Sequence, residues 1–161
     1  MTNFDIEVIK YHDKLNFIDF DCGIDEINQF LKQKGPIQEK NKVSRIYIIQ
    51  INNHVIAFSA VFCSHLYYRL QDQEQEFRVP GICLGQLGVD LKFQNKGLGS
   101  ILINHSISLA NKISNYAACR VLYCEARNEA IPFYERHHFR MVKALHDRNK
   151  MALDLKYFNN I

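Results

Sequence analysis

Apolar and polar positions switch between two periods along this chain, and the switches lay out its elements. Phe4–Ile9 alternates and predicts an edge strand. Ile24-Asp25-Glu26-Ile27-Asn28-Gln29-Phe30-Leu31 places apolar residues at i, i+3, i+6 and i+7, the spacing of an amphipathic helix. Gly35-Pro36 is expected to stop that helix. Val43–Ile51 and Val55–Phe62 flank Asn52-Asn53, whose chemistry suits the tight turn of a hairpin. The polar run Gln71-Asp72-Gln73-Glu74-Gln75-Glu76 has no periodicity and reads as an exposed loop rather than a substrate lid. Ile82–Val89 is long and largely apolar, as a central buried strand should be. A helix over 98–112, a strand over 120–125, a helix over 128–137 and a hairpin near 140–146 and 150–155 complete the chain. The order β-α-β-β-β-α-β-α-β predicts a mixed α/β sheet with helices on its faces. With no internal repeat or linker visible, residues 1–161 read as one domain.

Composition removes several classes. Hydrophobic content of 47% and charged content of 23% are ordinary for a soluble globular protein. No apolar stretch reaches membrane-spanning length, so no membrane partner is expected. The N-terminus lacks a basic start and an apolar signal core. Cys22, Cys63, Cys83, Cys119 and Cys124 show neither metal-site nor redox spacing. No metal is expected, and a reducing cytoplasm fits. The net charge of +3 suits an anionic ligand without arguing for nucleic acid.

The candidate chemistry begins where the central strand meets the next helix, at Gln94-Asn95-Lys96-Gly97-Leu98-Gly99-Ser100. Glycines let backbone N–H groups approach a bulky anion, and a helix start adds donors and a positive dipole end. The segment therefore reads as a cradle for a phosphate or pyrophosphate, or otherwise as a plain strand-to-helix turn. Two better-known glycine loops do not match. In the P-loop the lysine follows its glycine, whereas Lys96 precedes Gly97. The dinucleotide fingerprint needs a third glycine where Leu102 stands.

What Gln94, Gly97 and Gly99 do fit is Gln/Arg-x-x-Gly-x-Gly/Ala. That pattern resembles the coenzyme A loop of the GNAT family of N-acetyltransferases. Downstream, a buried strand over 120–125, Asn128, Ala130, Phe133-Tyr134-Glu135 and Phe139 resemble the family's second motif in the same order. Two positions depart from the family. The step from Asn128 to Tyr134 is one position short, so either the loop is shorter or Arg127 fills the asparagine slot. The glycine that usually closes the helix is His138, a residue that tolerates positive φ better than most.

The resemblance implies an acetyl-CoA-dependent N-acetyltransferase with a central, mostly antiparallel splayed sheet flanked by helices. It implies that the N–H groups of Gln94, Asn95, Lys96, Gly97, Leu98, Gly99 and Ser100 hold the pyrophosphate, with Lys96 adding charge. The backbone at Leu87 and Val89 would pair with the pantetheine arm, and Asn128 would meet the cofactor. Tyr134 would protonate the departing thiolate, since a phenol of pKa near ~10 is protonated at neutral pH; its alternative is an aromatic core residue. Glu125 is the candidate base, or else a strand-end carboxylate paired with Arg127 or Lys150. An α-amine of pKa near ~8 needs no strong base. His65 ranks below these, and His137 and His138 at a helix end need no further role.

The N-terminal half sharpens the likeness. Phe20-Asp21-Cys22-Gly23, followed by Ile27, Phe30 and Leu31, resembles the opening of the toxin subgroup of this family. Those toxins acetylate aminoacyl-tRNA and are neutralised by a small antitoxin protein. Ser44-Arg45-Ile46-Tyr47, Leu87-Gly88-Val89-Asp90 and Phe133-Tyr134-Glu135-Arg136 continue it. Lys32, Lys34, Lys40, Lys42, Arg45, Lys92 and Lys96 could supply a basic face for tRNA, or be an ordinary solvated surface. A homodimer is expected by analogy. The alternatives are an acetyltransferase of a small amine, a peptide N-terminus or a lysine, and a non-catalytic acetyl-CoA-binding module.

Overall fold

The computed structural model describes residues 6–71 and 73–158. Its strands and helices run β1 (Ile9–Lys10), α1 (Asp25–Gln29), α2 (Gly35–Lys40), β2 (Arg45–Ile51), β3 (His54–Arg69), β4 (Glu76–Val89), α3 (Leu98–Ser114), β5 (Val121–Ala126), α4 (Ile131–Arg136), β6 (Arg140–Lys143) and β7 (Asn149–Asp154). The strands form a seven-stranded, mostly antiparallel open sheet in the order β1-β2-β3-β4-β5-β7-β6, flanked by helices. The exception is β4 with β5, whose parallel ladder runs over Gly81–Leu84 and Val121–Cys124 while β4 continues to Val89. No helix among the described residues is long and apolar enough to cross a membrane.

Contacts divide the chain into two compact units, residues 1–61 with 86–105 and residues 62–85 with 106–161. In the first, Asn52 and Asn53 both take positive φ, 49° and 68°, and close the β2–β3 hairpin as their chemistry predicts. The edge strand expected over Phe4–Ile9 is shorter and later. Residues 4 and 5 lie outside the described residues, and the strand is Ile9–Lys10.

The Gly35-Pro36 stop is also corrected. A π-helical turn, Phe30–Lys34, leads from α1 into α2, and Pro36 sits in the first turn of α2. Proline is tolerated there because its missing N–H would have no partner anyway. Gly35 is helical, with φ −58°, so its role is spatial. A Cβ there would lie 2.9 Å from Ile46 Cδ1 and 2.9 Å from the Phe30 carbonyl. Glycine lets the helix approach β2.

The first unit's core gathers Phe20, Phe30, Leu31, Ile46, Ile48 and Phe58. The second unit's core is built by Leu66, Val79, Cys83, Val121, Tyr123 and Ala152. There β5 pairs with β7 from Val121↔Asp154 to Ala126↔Asn149, and β6 closes on β7.

Candidate active site

The glycine loop is held by side chains that grip backbone. In the first unit β4 ends at Val89, and buried Asp90 begins a 3₁₀ turn, Leu91–Phe93. One Asp90 carboxylate oxygen accepts from the Lys92 N–H at 2.9 Å and the other from the Asp21 N–H at 3.1 Å. The Asp90 N–H donates to the Ile56 carbonyl, and the Leu91 N–H to the Asp21 carbonyl at 2.8 Å. Gln94 then turns inward. Its amide nitrogen donates to the Val89 carbonyl at 2.9 Å and to the Cys22 carbonyl at 3.1 Å. The Gln94 side chain therefore ties down the loop, and only its backbone is left to meet a ligand.

Beyond Gln94 the chain takes positive φ at Asn95, 60°, and at Gly97, 84°. A Cβ at Gly97 would meet nothing within 4 Å, so the space beside this backbone is open. Asn95, Lys96 and Gly97 are exposed, Gly99 and Ser100 half-buried, and Leu98 buried. The Ile101 N–H donates to Gly97 O at 3.1 Å, which fixes the start of α3. Helix starts gather N–H donors and a positive dipole end. Lys96 Nζ lies 5.5 Å from the centre of the Phe93 ring. Leu87 and Val89 are half-buried against the cluster of Ile49, Ile56, Ala57, Leu98 and Leu102. Gly88 between them faces the other way, where a Cβ would lie 2.9 Å from Ile27 and from Phe58.

The Phe20-Asp21-Cys22-Gly23 segment proves to be the loop's second anchor. Asp21 Oδ1 accepts from the Gly23 N–H and from the Asn28 amide, each at 2.8 Å. Asn28 Oδ1 in turn accepts from the Cys22 N–H at 2.9 Å. These two hydrogen bonds, Gly23 first, hold the Asp21 carboxyl below the usual carboxylate range. Of the lysines and arginine expected to form a basic face, Arg45 is committed to Glu39 in an ion pair. Lys32, Lys34, Lys40, Lys42, Lys92 and Lys96 are exposed.

In the second unit Tyr134 sits on α4, 7% exposed, between the rings of Phe133 and Phe139 at 5.2 and 5.4 Å. Burial, with the neighbouring Cys124 and Cys83 thiols behind it, raises its phenol well above the usual value. Cys124, hydrogen-bonded to Tyr134, is itself pushed up by burial, so both groups stay neutral. Cys83 is raised to about 12 by burial and Tyr123 to about 12 by the same cause. The Tyr123 hydroxyl donates to Ser64 Oγ at 2.7 Å.

α4 ends as the sequence led one to expect. His138 takes φ 67°, its N–H donates to Glu135 O, and the Phe139 N–H donates to Tyr134 O. This is a Schellman closure with histidine in the left-handed position.

Glu125 is exposed on β5, and its cross-strand neighbour is Lys150. Strand alternation sends Glu125 and Cys124 to opposite faces, so the structure does not bring Glu125 to the Tyr134 hydroxyl. Asn128 is engaged elsewhere. Its amide donates to His146 O at 3.1 Å, and its carbonyl accepts from Asn149 at 2.8 Å. Asn149, 4% exposed, also donates to Ala126 O at 3.2 Å and accepts from the Leu145 N–H. The Asn128 side chain thus pins the turn after β5 to the β6–β7 loop. His65 lies beside Arg78 on the surface, at 3.2 Å. Among the described residues no group of three His, Cys, Asp or Glu is placed to hold a metal ion.

The sequence pattern did not single out Asn149 or place Cys124 beside Tyr134, and Asp90 entered only as part of a likeness. Asp90 offered a signal, an acidic residue just ahead of a helical turn. Cys124 and Asn149 offered none.

Comparison with known proteins places this geometry in a family. A family model described as acetyltransferase (GNAT) domain matches residues 42–141. Three solved structures share the fold. One is a tyrosine-to-phenylalanine mutant of the AtaT toxin bound to the C-terminus of the antitoxin AtaR and acetyl-CoA, with 23% identity, TM-score 0.80 and 95% of each chain covered. A second is AtaT complexed with acetyl-methionyl-tRNAfMet, with 22% identity, TM-score 0.83, 94% of this chain and 96% of that one. The third is a tyrosine-to-phenylalanine mutant of KacT, with 21% identity, TM-score 0.83, 94% of this chain and 95% of that one.

Proposed function

The chain belongs to the acetyltransferase (GNAT) domain family and is an acetyl-CoA-dependent N-acetyltransferase, and from that premise we propose that its acceptor is the amino group of an aminoacyl-tRNA. The observation that carries this reading is the union of two motifs. The Phe20–Gly23 turn, by which the sequence resembles the toxin subgroup, is hydrogen-bonded to the Gln94 loop through Cys22 and Asp21. The fold likeness to AtaT in complex with acetyl-methionyl-tRNAfMet supports the same acceptor, and the likeness to AtaT with AtaR supports a small antitoxin as partner. The family match includes residues of both units, which supports treating the whole chain as one acetyltransferase domain.

The proposed chemistry needs little from the protein beyond positioning. The loop N–H groups from Gln94 to Ser100, at a helix start with open space beside Gly97, suit a pyrophosphate. The extended backbone at Leu87 and Val89 suits a pantetheine arm added as a further strand. The amine nitrogen attacks the thioester carbonyl carbon, the C–S bond breaks, and Tyr134 protonates the departing sulfur. The amine's own proton leaves to solvent or to Glu125. A neutral α-amine is abundant near pH 8, so Glu125→Gln is expected to cost far less rate than Tyr134→Phe.

The test is transfer of label from acetyl-CoA into two acceptor pools, charged total tRNA and a panel of amines and peptides. Label on charged tRNA is the expected result. Label confined to amines or peptides would overturn the acceptor and keep the enzyme, and binding of acetyl-CoA without transfer to either pool would leave only a sensor.

A further inference from the structure

Beside α4 the second unit holds a groove of about 860 Å³, a volume in the range of ligand sites. Its lining is aromatic and cationic. Tyr68, Tyr157 and Phe158 contribute rings, and Arg69 and Arg140 contribute exposed guanidinium groups. Neither arginine is ion-paired among the described residues. Two carboxylates also line the groove. Asp154 is already satisfied, by Arg120 Nε at 2.7 Å and Nη2 at 2.9 Å, by the Tyr68 hydroxyl at 3.2 Å and by the Lys156 N–H at 3.1 Å. Glu135, exposed on α4, is the second. The Tyr157 ring is 58% exposed, with Arg120 5.8 Å and Lys156 Nζ 5.5 Å from its centre.

An exposed ring in the same groove as the Arg69 and Arg140 guanidinium groups is what a single-stranded nucleic acid uses. Bases stack on aromatic faces, and the guanidinium fork matches phosphate oxygens. One buried ring separates the groove from Tyr134 within its own unit. Phe139 forms part of its wall and lies 5.4 Å, ring to ring, from Tyr134. We propose that this groove holds the unpaired 3′ end of tRNA, with Arg69 and Arg140 on its phosphates and one base stacked on Tyr157. This inference rests on the aminoacyl-tRNA reading and says where that substrate lies.

The experiment measures binding of fluorescently labelled, deacylated tRNA to the full chain over a range of salt, alongside label transfer to charged tRNA. For a single strand, each phosphate contact contributes about 0.7 to the slope of log affinity against log salt. The double variant R69A/R140A is expected to lower that slope by about 1.4, and R69K/R140K to restore it. Tyr157→Ala is expected to weaken binding by about 5- to 100-fold with the slope unchanged. All the substituted side chains are exposed, and a thermal melt matching the wild type shows that each variant folds. If R69A/R140A binds tRNA with the wild-type affinity and slope, the groove assignment is overturned, whether or not charged tRNA is acetylated. It is equally overturned if R69A/R140A keeps tRNA but loses an acidic partner peptide. If the wild type binds tRNA with the predicted variant effects yet transfers no label to it, the acceptor reading fails and the groove stands. If the wild type binds no tRNA, both fall.

Discussion

Replacing Tyr134 by phenylalanine tests the proposed chemistry with the least disturbance to the fold. The substitution removes one hydroxyl from a side chain that is 7% exposed and keeps the ring between Phe133 and Phe139. The hydroxyl's partner is the Cys124 thiol, a weak donor and acceptor. A neutral hydrogen bond is worth about 1 kcal/mol, and burying a phenol carries its own desolvation cost, so net stability is expected to shift by under about 1 kcal/mol. For a chain of this length that is at most ~2–4 °C in Tm. The effect on rate is of another order. A positioned proton donor contributes about 10²–10⁴-fold, or roughly 3–5 kcal/mol of barrier, and solvent has little access to a phenol this buried. Single-turnover transfer of labelled acetyl should therefore fall at least about 100-fold while acetyl-CoA affinity, measured by titration, stays put. The raised pKa of the phenol adds a pH signature. The acid form persists as pH rises, so the wild-type rate should show no alkaline limb from this group up to about pH 9. A variant that keeps a third or more of the wild-type rate would refute the assignment, as would loss of rate that merely follows loss of acetyl-CoA binding.

Three further perturbations probe the scaffold. Gln94→Leu keeps the bulk but removes the bonds to Val89 O and Cys22 O, and it is expected to cost roughly 1–3 kcal/mol and to weaken acetyl-CoA binding in a calorimetric titration. Gly81→Ala puts a Cβ 2.5 Å from Val121 O on the parallel ladder, and because backbone must move, a loss of about 2–3 kcal/mol and a clear drop in Tm are expected. Asp154 titrates below its usual 3.8: burial pushes the carboxyl up, and Arg120, the Lys156 N–H and Tyr68 together pull it down further. Its contribution to stability is thus full above pH ~4 and is lost as pH falls through the folded-state value. Chemical denaturation of wild type and Asp154→Asn should differ at pH 7 and converge in stronger acid.

The sequence made the scaffold legible wherever one period ruled a segment. The β2–β3 hairpin followed from Asn52-Asn53, and the apolar run before Gln94 gave the end of β4. The left-handed close of α4 could be anticipated at His138. Reading failed where spatial neighbours override local rules. Gly35-Pro36 looks like punctuation in one dimension, yet Gly35 is small because Ile46 and the Phe30 carbonyl crowd it, and Pro36 falls where a helix can spare an N–H. The same limit governs the site. The resemblance expected Asn128 to meet the cofactor and Gln94 to offer its backbone N–H, and it said nothing of what their side chains hold. In the fold both side chains are spent on backbone carbonyls and on Asn149.

That expenditure has a physical reason. A loop that presents its own N–H groups to an anion cannot use them to hold itself together, so side chains from other segments must do it. Asp90 reaches Asp21 and Lys92, Gln94 reaches Cys22 and Val89, and Asp21 is fixed by Gly23 and Asn28. Two of these bonds join distant positions, Asp21 with Asp90 across 69 residues and Cys22 with Gln94 across 72, and no sequence period links them. Such a loop is therefore recognisable in sequence by its glycines, while the long-range part of its support is not. This also explains why an N-terminal Phe20-Asp21-Cys22-Gly23 turn and a glycine loop far downstream belong to one resemblance. Asp21 and Cys22 meet the loop through backbone groups, so what holds this turn in shape, the Asp21 carboxylate on Gly23 and Asn28, also holds the loop.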